Sequence, residues 1–218
     1  MTTTYTPSFY EQIRAGCVRS AEVIAPLVHK LLKPRTVVDV GCGEGWWAKH
    51  FAELGCEVRG FDGNWPGTGY ALGAEQFIAV DLATDGIVQA GPAVDLVVSL
   101  EVAEHLPPTR AVWFIADLVS SKPRALLFSA AIPGQGGVGH VNEQWQSYWA
   151  SLIEAHGYRV TGNLRRELWT DQRVEPWYRQ NLLLAVREDV ENKGALFNLF
   201  ARPEPLDLVH PDIWRWYR

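Results

Sequence analysis

Apolar residues fall into two rhythms along this chain of 218 residues. Between positions 8 and 32, Ile13, Cys17, Val18, Val23, Ile24, Leu27, Val28 and Leu31 recur at helical intervals, which predicts a helical lead-in. Pro26 predicts a kink there or a split into two helices, because proline lacks an N–H and its ring collides with the preceding turn. From residue 36 the rhythm changes to short apolar runs, several of which stop at glycine or aspartate. Runs at 36–40, 57–61, 77–80, 94–100, 125–129 and 180–187 predict strands. Helices are predicted at 45–54 and 108–120, and in a segment capped by Asn142 that carries Trp145, Trp149, Leu152 and Ile153 on one face. Short apolar strands alternating with helices predict an α/β class: a doubly wound, Rossmann-like, mostly parallel sheet with helices on both faces. The chain reads as one domain over 1–218, with the lead-in at 8–32, a core at 33–190 and a tail at 191–218.

Composition narrows the class. Hydrophobic residues make up 47% of the chain, enough for a packed core. With 20 basic and 25 acidic side chains the formal charge is −5, which argues against a grip on long nucleic acid. Cys17, Cys42 and Cys56 have neither CxxC nor zinc-type spacing and read as free thiols of a reducing compartment. The first residues lack a basic start followed by an apolar stretch, and no apolar run approaches the roughly 20 residues that span a bilayer. A cytoplasmic protein without membrane contact is expected.

The stretch VVDVGCGEG, Val37 to Gly45, runs from strand through glycine-rich turn to helix. Glycine lets a backbone turn sharply and approach a ligand where a Cβ would clash, and the helix start offers free N–H groups. Asp39 precedes the turn. Asp62 ends the second strand, where a carboxylate can accept from two ribose hydroxyls, and Asp81 ends the third, where it can meet an adenine amino group. Carboxylates at successive strand ends suit a nucleoside lying across the sheet.

With Gly60-Phe61-Asp62-Gly63, Val80-Asp81-Leu82 and VDLVVSLEVAEHLP at 94–107, these residues make the chain resemble the class I S-adenosylmethionine-dependent methyltransferases over roughly 33–190. A dinucleotide fingerprint fits less well, since Gly41, Gly43 and Gly45 run into Trp46-Trp47. The resemblance implies seven strands, the last one antiparallel. It implies S-adenosyl-L-methionine as cofactor, held by Asp39, Gly41, Cys42, Gly43, Asp62, Gly63, Asp81, Leu82, Leu100 and Glu101.

After the fourth strand, Glu101, Glu104 and His105 are spaced to share one face of a helical turn. Two carboxylates and an imidazole, joined by His140 from the loop GQGGVGHVNEQW, could bind a divalent cation. Mg²⁺ or Mn²⁺ suits the oxygen ligands, and the imidazoles tolerate Fe²⁺, Co²⁺ or Zn²⁺. Two O-methyltransferase groups carry a similar ExxEH with a later His, one acting on the 2′-hydroxyl of small RNAs and the other on catechol intermediates of ubiquinone synthesis. Carried over by position, the metal roles fall on Glu101, Glu104, His105 and His140, although the loop before His140 departs from their pattern. Two further readings stand beside it: His105 or His140 as a general base without metal, and a purely structural role.

Asn142, Trp145 and Tyr148 are the candidate substrate contacts. Arg159, Arg165, Arg166, Arg173 and Arg179 form a locally basic stretch that could meet phosphate or carboxylate, or could simply be solvated. The segments FSAAIPGQGGVGHVNEQWQSYW, WYRQNLLLA and LVHPDIW also resemble small bacterial and phage-borne methyltransferases associated with glycan genes. The expected activity is O-methylation of a small-molecule hydroxyl, in a vicinal diol of a sugar, glycan or phenolic metabolite. The rivals are an RNA 2′-O-methyltransferase and a non-catalytic cofactor-binding scaffold. The Pro- and Trp-rich tail could cap the site or join two subunits into a homodimer.

Overall fold

In the computed structural model, residues 7–63, 70–86, 94–190, 194–201 and 204–215 are described, with side chains from residue 11 onward. The chain opens with α1 (Pro7–Leu32) and β1 (Thr36–Val40), followed by α2 (Trp46–Glu53), β2 (Glu57–Asp62) and β3 (Phe77–Ala79). Next come β4 (Leu96–Leu100), α3 (Ala111–Leu118), β5 (Ala125–Ser129), α4 (Gln146–Glu154) and β6 (Tyr158–Thr161). The last elements are α5 (Leu164–Leu168), α6 (Pro176–Asn181), β7 (Leu183–Arg187), α7 (Ala195–Phe200) and α8 (Pro211–Trp214).

The seven strands lie in the order β3-β2-β1-β4-β5-β7-β6. The pairs from β3 to β5 are parallel, and β7 runs antiparallel to both β5 and β6. Side chains alternate between two buried layers, as the pleat requires. Val37, Leu96, Val98, Leu127 and Leu184 face a layer under α1 and α2. Val38, Val97, Leu126, Phe128 and Leu183 face the layer under α3 and α4. Strands buried on both faces are mostly apolar, which is why β4 and β5 read as apolar runs with only Ser99 and Ser129 polar.

Local expectations needed correcting at several points. The lead-in is one continuous helix through Pro26. Ala21, Ile24, Ala25 and Val28 are fully buried around it, and this packing outweighs the lost hydrogen bond. The predicted helix at 108–120 starts with a 3₁₀ turn at Pro108–Arg110, and the α-helix begins at Ala111. Asn142 does not cap the helix after β5: Trp145 occupies that position and α4 starts at Gln146. Asn142 is instead buried, with its amide donating to the Ala103 carbonyl at 3.4 Å. The late strand is shorter than the 180–187 apolar run, because 176–181 belong to α6. Among the described residues no helix is long and apolar enough to cross a membrane.

Candidate active site

The strand order reverses between β1 and β4, and the loops after both strands meet there. Gly41, Gly43 and Gly45 all take positive φ, at 75°, 53° and 81°. A Cβ on Gly41 would lie 2.3 Å from Cγ2 of Val102, so the glycine turn and the segment after β4 are packed face to face. Gly41→Ala should destabilise the fold by about 1–3 kcal/mol, the cost of a side chain held in a left-handed backbone, read as a lower urea midpoint with an unchanged slope.

Asp62 accepts from the backbone N–H of Gly43 at 2.7 Å and of Gly63 at 2.6 Å, which fixes the turn against the end of β2. Burial raises its pKa, and these two donors oppose the rise. Asp39 is 2% exposed and its Oδ2 has no hydrogen-bond partner. Burial pushes its carboxyl up to about 7, against the Ala48 N–H and with help from the Asp62 charge. Cys42 is buried, with its sulfur 3.0 Å from the Tyr70 hydroxyl. Arg14 reaches across from α1 to grip Glu44 with two bonds of 2.8 and 2.6 Å, tying the lead-in helix to the glycine turn. Sequence reasoning passed over that pair, whose partners are 30 residues apart.

On the far side, β3 ends at Ala79, so Asp81 lies two residues beyond the strand. Its side chain is exposed and accepts from the Ala83 N–H at 2.9 Å, while Leu82 is buried. Arg110 holds this loop through the carbonyls of Leu82 and Asp85.

After β4 the chain does not form the helical turn expected from the 101–105 spacing. Glu101 has φ 54° and precedes a 3₁₀ turn at Ala103–His105. The consequence is a split between the four candidate ligands. Glu104, His105 and His140 each offer a ligand atom within 4.8 Å of the others. Glu101 is not part of that group. Its carboxylate accepts from Asn181 at 3.1 Å to each oxygen and from Gln135 at 3.4 Å, and its backbone N–H donates to Ser129. Burial raises its pKa against the donors Ser129, Asn181 and Gln135.

Glu104 is fully buried, and neither carboxylate oxygen has a hydrogen-bond partner. Burial and the nearby Glu101 push its pKa well up. His105 and His140 stand edge to face with ring centres 4.7 Å apart. Burial, aided by His140, lowers the His105 pKa to about 4. His140 is oriented by Glu143, whose Oε1 is 2.8 Å from Nδ1. The same carboxylate accepts from the N–H groups of Gly134 and Gly136 and so closes the loop. Glu143 escaped sequence reasoning, although its position three residues after His140 was a usable signal.

The substrate candidates separate as well. Trp149 is buried against Phe128 with ring centres 5.5 Å apart, and Tyr148 lies half-buried beside it. Trp145 stays 40% exposed at the start of α4. The basic stretch divides: Arg159, Arg166 and Arg173 are exposed, as on a solvated face, and Arg165 and Arg179 are buried. Arg165 is buried and donates to the carbonyls of Gly162, Gln180, Pro205 and Leu206. Arg179 bonds to Trp169 and Asp212, Arg166 pairs with Glu204 and Arg173 with Asp171. The described part of the tail is thereby strapped onto α4, α5 and α6 of its own chain.

This strand order, with a glycine turn after β1 and carboxylates at the ends of β1 and β2, defines the class I S-adenosylmethionine-dependent methyltransferase architecture. A family model described as a methyltransferase domain matches residues 12–170, and the chain belongs to that family. It is 31% identical over 134 residues to the ubiquinone biosynthesis O-methyltransferase of Burkholderia thailandensis, covering 58% of this chain and 53% of that protein. The chain thus spans about half the length of the curated relatives it matches. The magnesium protoporphyrin IX methyltransferase of Synechocystis PCC 6803, solved with bound S-adenosylmethionine, superimposes with a TM-score of 0.58 at 25% identity, over 86% of this chain and 85% of that one. A sugar N-methyltransferase from Streptoalloteichus shares the fold, with a TM-score of 0.63 at 16% identity over 83% of this chain and 92% of that one.

Proposed function

We propose that the chain is an S-adenosylmethionine-dependent O-methyltransferase that acts on a vicinal diol of a small phenolic, sugar or glycan acceptor. The observation that carries this reading is the convergence of Glu104, His105 and His140 beside the glycine turn, through the Val102 contact with Gly41. The relatives named as O-methyltransferases of ubiquinone biosynthesis support it. The donor side fits a cationic nucleoside: Asp39 is a buried carboxylate with an unpaired oxygen, complementary to positive charge.

The donor set of one buried, unpartnered carboxylate and two imidazoles fits Mg²⁺, Mn²⁺, Fe²⁺ or Co²⁺, held by Glu104, His105 and His140. A divalent cation bound there would lower the pKa of an acceptor hydroxyl and hold a diol in register. His105 stays neutral at physiological pH because its pKa is displaced to about 4, which keeps a lone pair available. Glu143 fixes the ring of His140, the usual way a ligand or catalytic imidazole is oriented. In the transfer itself the acceptor oxygen bonds to the methyl carbon as the carbon–sulfur bond breaks. S-adenosylhomocysteine leaves, and the hydroxyl proton is lost to water where a cation occupies the histidines, or passes to His140 and then to water where none does.

Catechol and methyl glucoside are suitable probes, with S-adenosylhomocysteine release as the readout. Catechol turnover is expected, lost after chelation and restored by Mn²⁺ or Co²⁺. His140→Ala should cost about 10²–10⁴-fold in kcat. Chelator-insensitive turnover that still needs His140 would remove the cation and leave the histidine as base. No turnover of either diol would sink the diol reading.

A further inference from the structure

Between the candidate active site and the C-terminal strap lies a buried chain of side-chain amides that the reaction as derived above does not use. The backbone N–H of His210, in the strap, donates to Oε1 of Gln180 at 2.7 Å. Gln180 Nε2 donates to Gln135 Oε1 at 2.9 Å and to Asn181 Oδ1 at 3.0 Å. Asn181 Nδ2 then donates to both oxygens of Glu101 and to Gln135 Oε1, and Gln135 Nε2 donates to Glu101. Gln135, Gln180 and Asn181 are 9%, 0% and 1% exposed, so water cannot substitute for a missing partner.

A carboxamide has a donor end and an acceptor end, and in a buried chain the orientation of one fixes the next. A backbone N–H cannot accept, so His210 obliges Gln180 to turn its oxygen to the strap and its nitrogen inward. That nitrogen obliges Gln135 and Asn181 to point their oxygens back and their N–H groups at Glu101. The N–H of Ile132, 3.4 Å from Gln135 Oε1, sets the same direction from the other side. We propose that Gln180 is a positioning residue for Glu101: it transmits the polarity of the strap through Gln135 and Asn181, so that two amide donors face the Glu101 carboxylate on the acceptor side of the site. The strap is in turn held by Arg165 on the carbonyls of Pro205 and Leu206, by Gln146 on that of Leu208 and by Ser147 on Asp207. The proposal rests on the methyl-transfer reading only for its effect on rate; the polarity of the amide chain stands apart from it.

Gln180→Glu is the decisive variant. In its ionised form it keeps the shape and the acceptor for His210 but replaces the inward donor by an acceptor; burial beside Glu101 favours the protonated form, which still donates inward, so its spectra are followed to high pH. Gln135 and Asn181 then have to reverse and present carbonyl oxygens to Glu101. Gln180→Met removes the link without reversing it and serves if the first variant folds poorly. Ser147→Ala, which loosens an exposed strap anchor away from the relay, is the control. The first readout is the ¹⁵N side-chain amide resonances of Gln135 and Asn181, which in the wild type should be shifted and slow to exchange through donation to a buried carboxylate. The second is catechol methylation, counted per S-adenosylhomocysteine-binding site by calorimetry so that misfolded protein does not enter. In Gln180→Glu and Gln180→Met the amide signature should be lost and kcat should fall by about 10–100-fold, the scale of a misplaced group. Affinity for S-adenosylhomocysteine should stay the same, and Ser147→Ala should resemble wild type in both readouts. Retention of the signature in Gln180→Met would overturn the relay. Loss of the signature with unchanged kcat would overturn its positioning role. If wild type failed to methylate catechol, that would count against the diol acceptor, and the relay would still be decided by the amide resonances.

Discussion

Asp39→Asn is expected to make the ligand-free protein more resistant to heat at pH 8 and to weaken its binding of S-adenosylmethionine at the same time. The carboxyl is 2% exposed, one oxygen has no partner, and its pKa is displaced from 3.8 to about 7 by burial, only partly opposed by the Ala48 N–H. In the unfolded chain it returns to its ordinary value. Between about pH 4 and pH 7 the folded state therefore binds more protons than the unfolded state, and stability falls as pH rises through that window. Above pH 7 the carboxylate is ionised in both states and the penalty is complete, at roughly 4 kcal/mol as an upper figure from the size of the displacement. Asparagine removes the charge, so its gain should be absent near pH 4 and grow to a plateau above pH 7. At this chain length each kcal/mol is worth about 2–4 °C in melting temperature. Calorimetric melts across pH 4–8 check the profile; a gain of equal size at both ends would mean that charge is not its cause. The loss of affinity follows from the same fact, because the unpaired oxygen is what a cationic ligand would satisfy. A site built for its ligand costs stability without it.

Much of the fold was legible because its strands obey the simplest rule available. β4 and β5 are buried on both faces and β1 nearly so, and their sequences are apolar apart from Thr36, Asp39, Ser99 and Ser129 and end where the chain must turn. What local pattern could not show was any element whose identity depends on a distant partner. β6 has four residues, one of them the exposed Arg159, and is a strand only because β7 is there to pair with it. The continuity of α1 through Pro26 depends on the layer it buries, and local propensity taken alone breaks it. The capping role assigned to Asn142 went to Trp145, because Asn142 is drawn inward by the 103–104 backbone, to which both its amide and its N–H donate.

The site divides in the same way. The glycine turn could be read from sequence, since positive φ at three glycines is local backbone geometry, and so could the place of Asp62 at the end of β2; its bonds to the N–H groups of Gly43 and Gly63 could not. The grouping of Glu104, His105 and His140 could also be read, from residue types at the ends of adjacent strands. The place of Glu101 could not. Its spacing to Glu104 and His105 implies a shared face only if the backbone is helical, and at φ 54° it is not. Its real partners, Gln135 and Asn181, are 34 and 80 residues away and carry no motif of their own. The inward role of Arg165 was hidden for a related reason: it serves four backbone carbonyls, and carbonyl acceptors leave no trace in a sequence.

That division gives the largest expected loss of function. In Glu104→Gln the cluster loses its one carboxylate, while the shape of the side chain and the packing of the fully buried position are preserved. Mn²⁺ affinity, followed by electron paramagnetic resonance of the free ion, is expected to drop by more than the 10–100-fold typical of losing a mere supporting contact. Catechol turnover should fall by about 10²–10⁴-fold, the range for losing hydroxyl activation, with binding of S-adenosylmethionine unaltered. Glu101→Gln should behave differently. Its oxygens are already committed to Asn181 and Gln135, so Mn²⁺ affinity should change little even where turnover suffers. Equal loss of Mn²⁺ in both variants would mean that Glu101 leaves its amide partners to join the ion, and that the spacing of the two glutamates reports a ligand set after all. Equal retention would remove the cation from the site, and the chemistry would rest on His140 with Glu143 behind it.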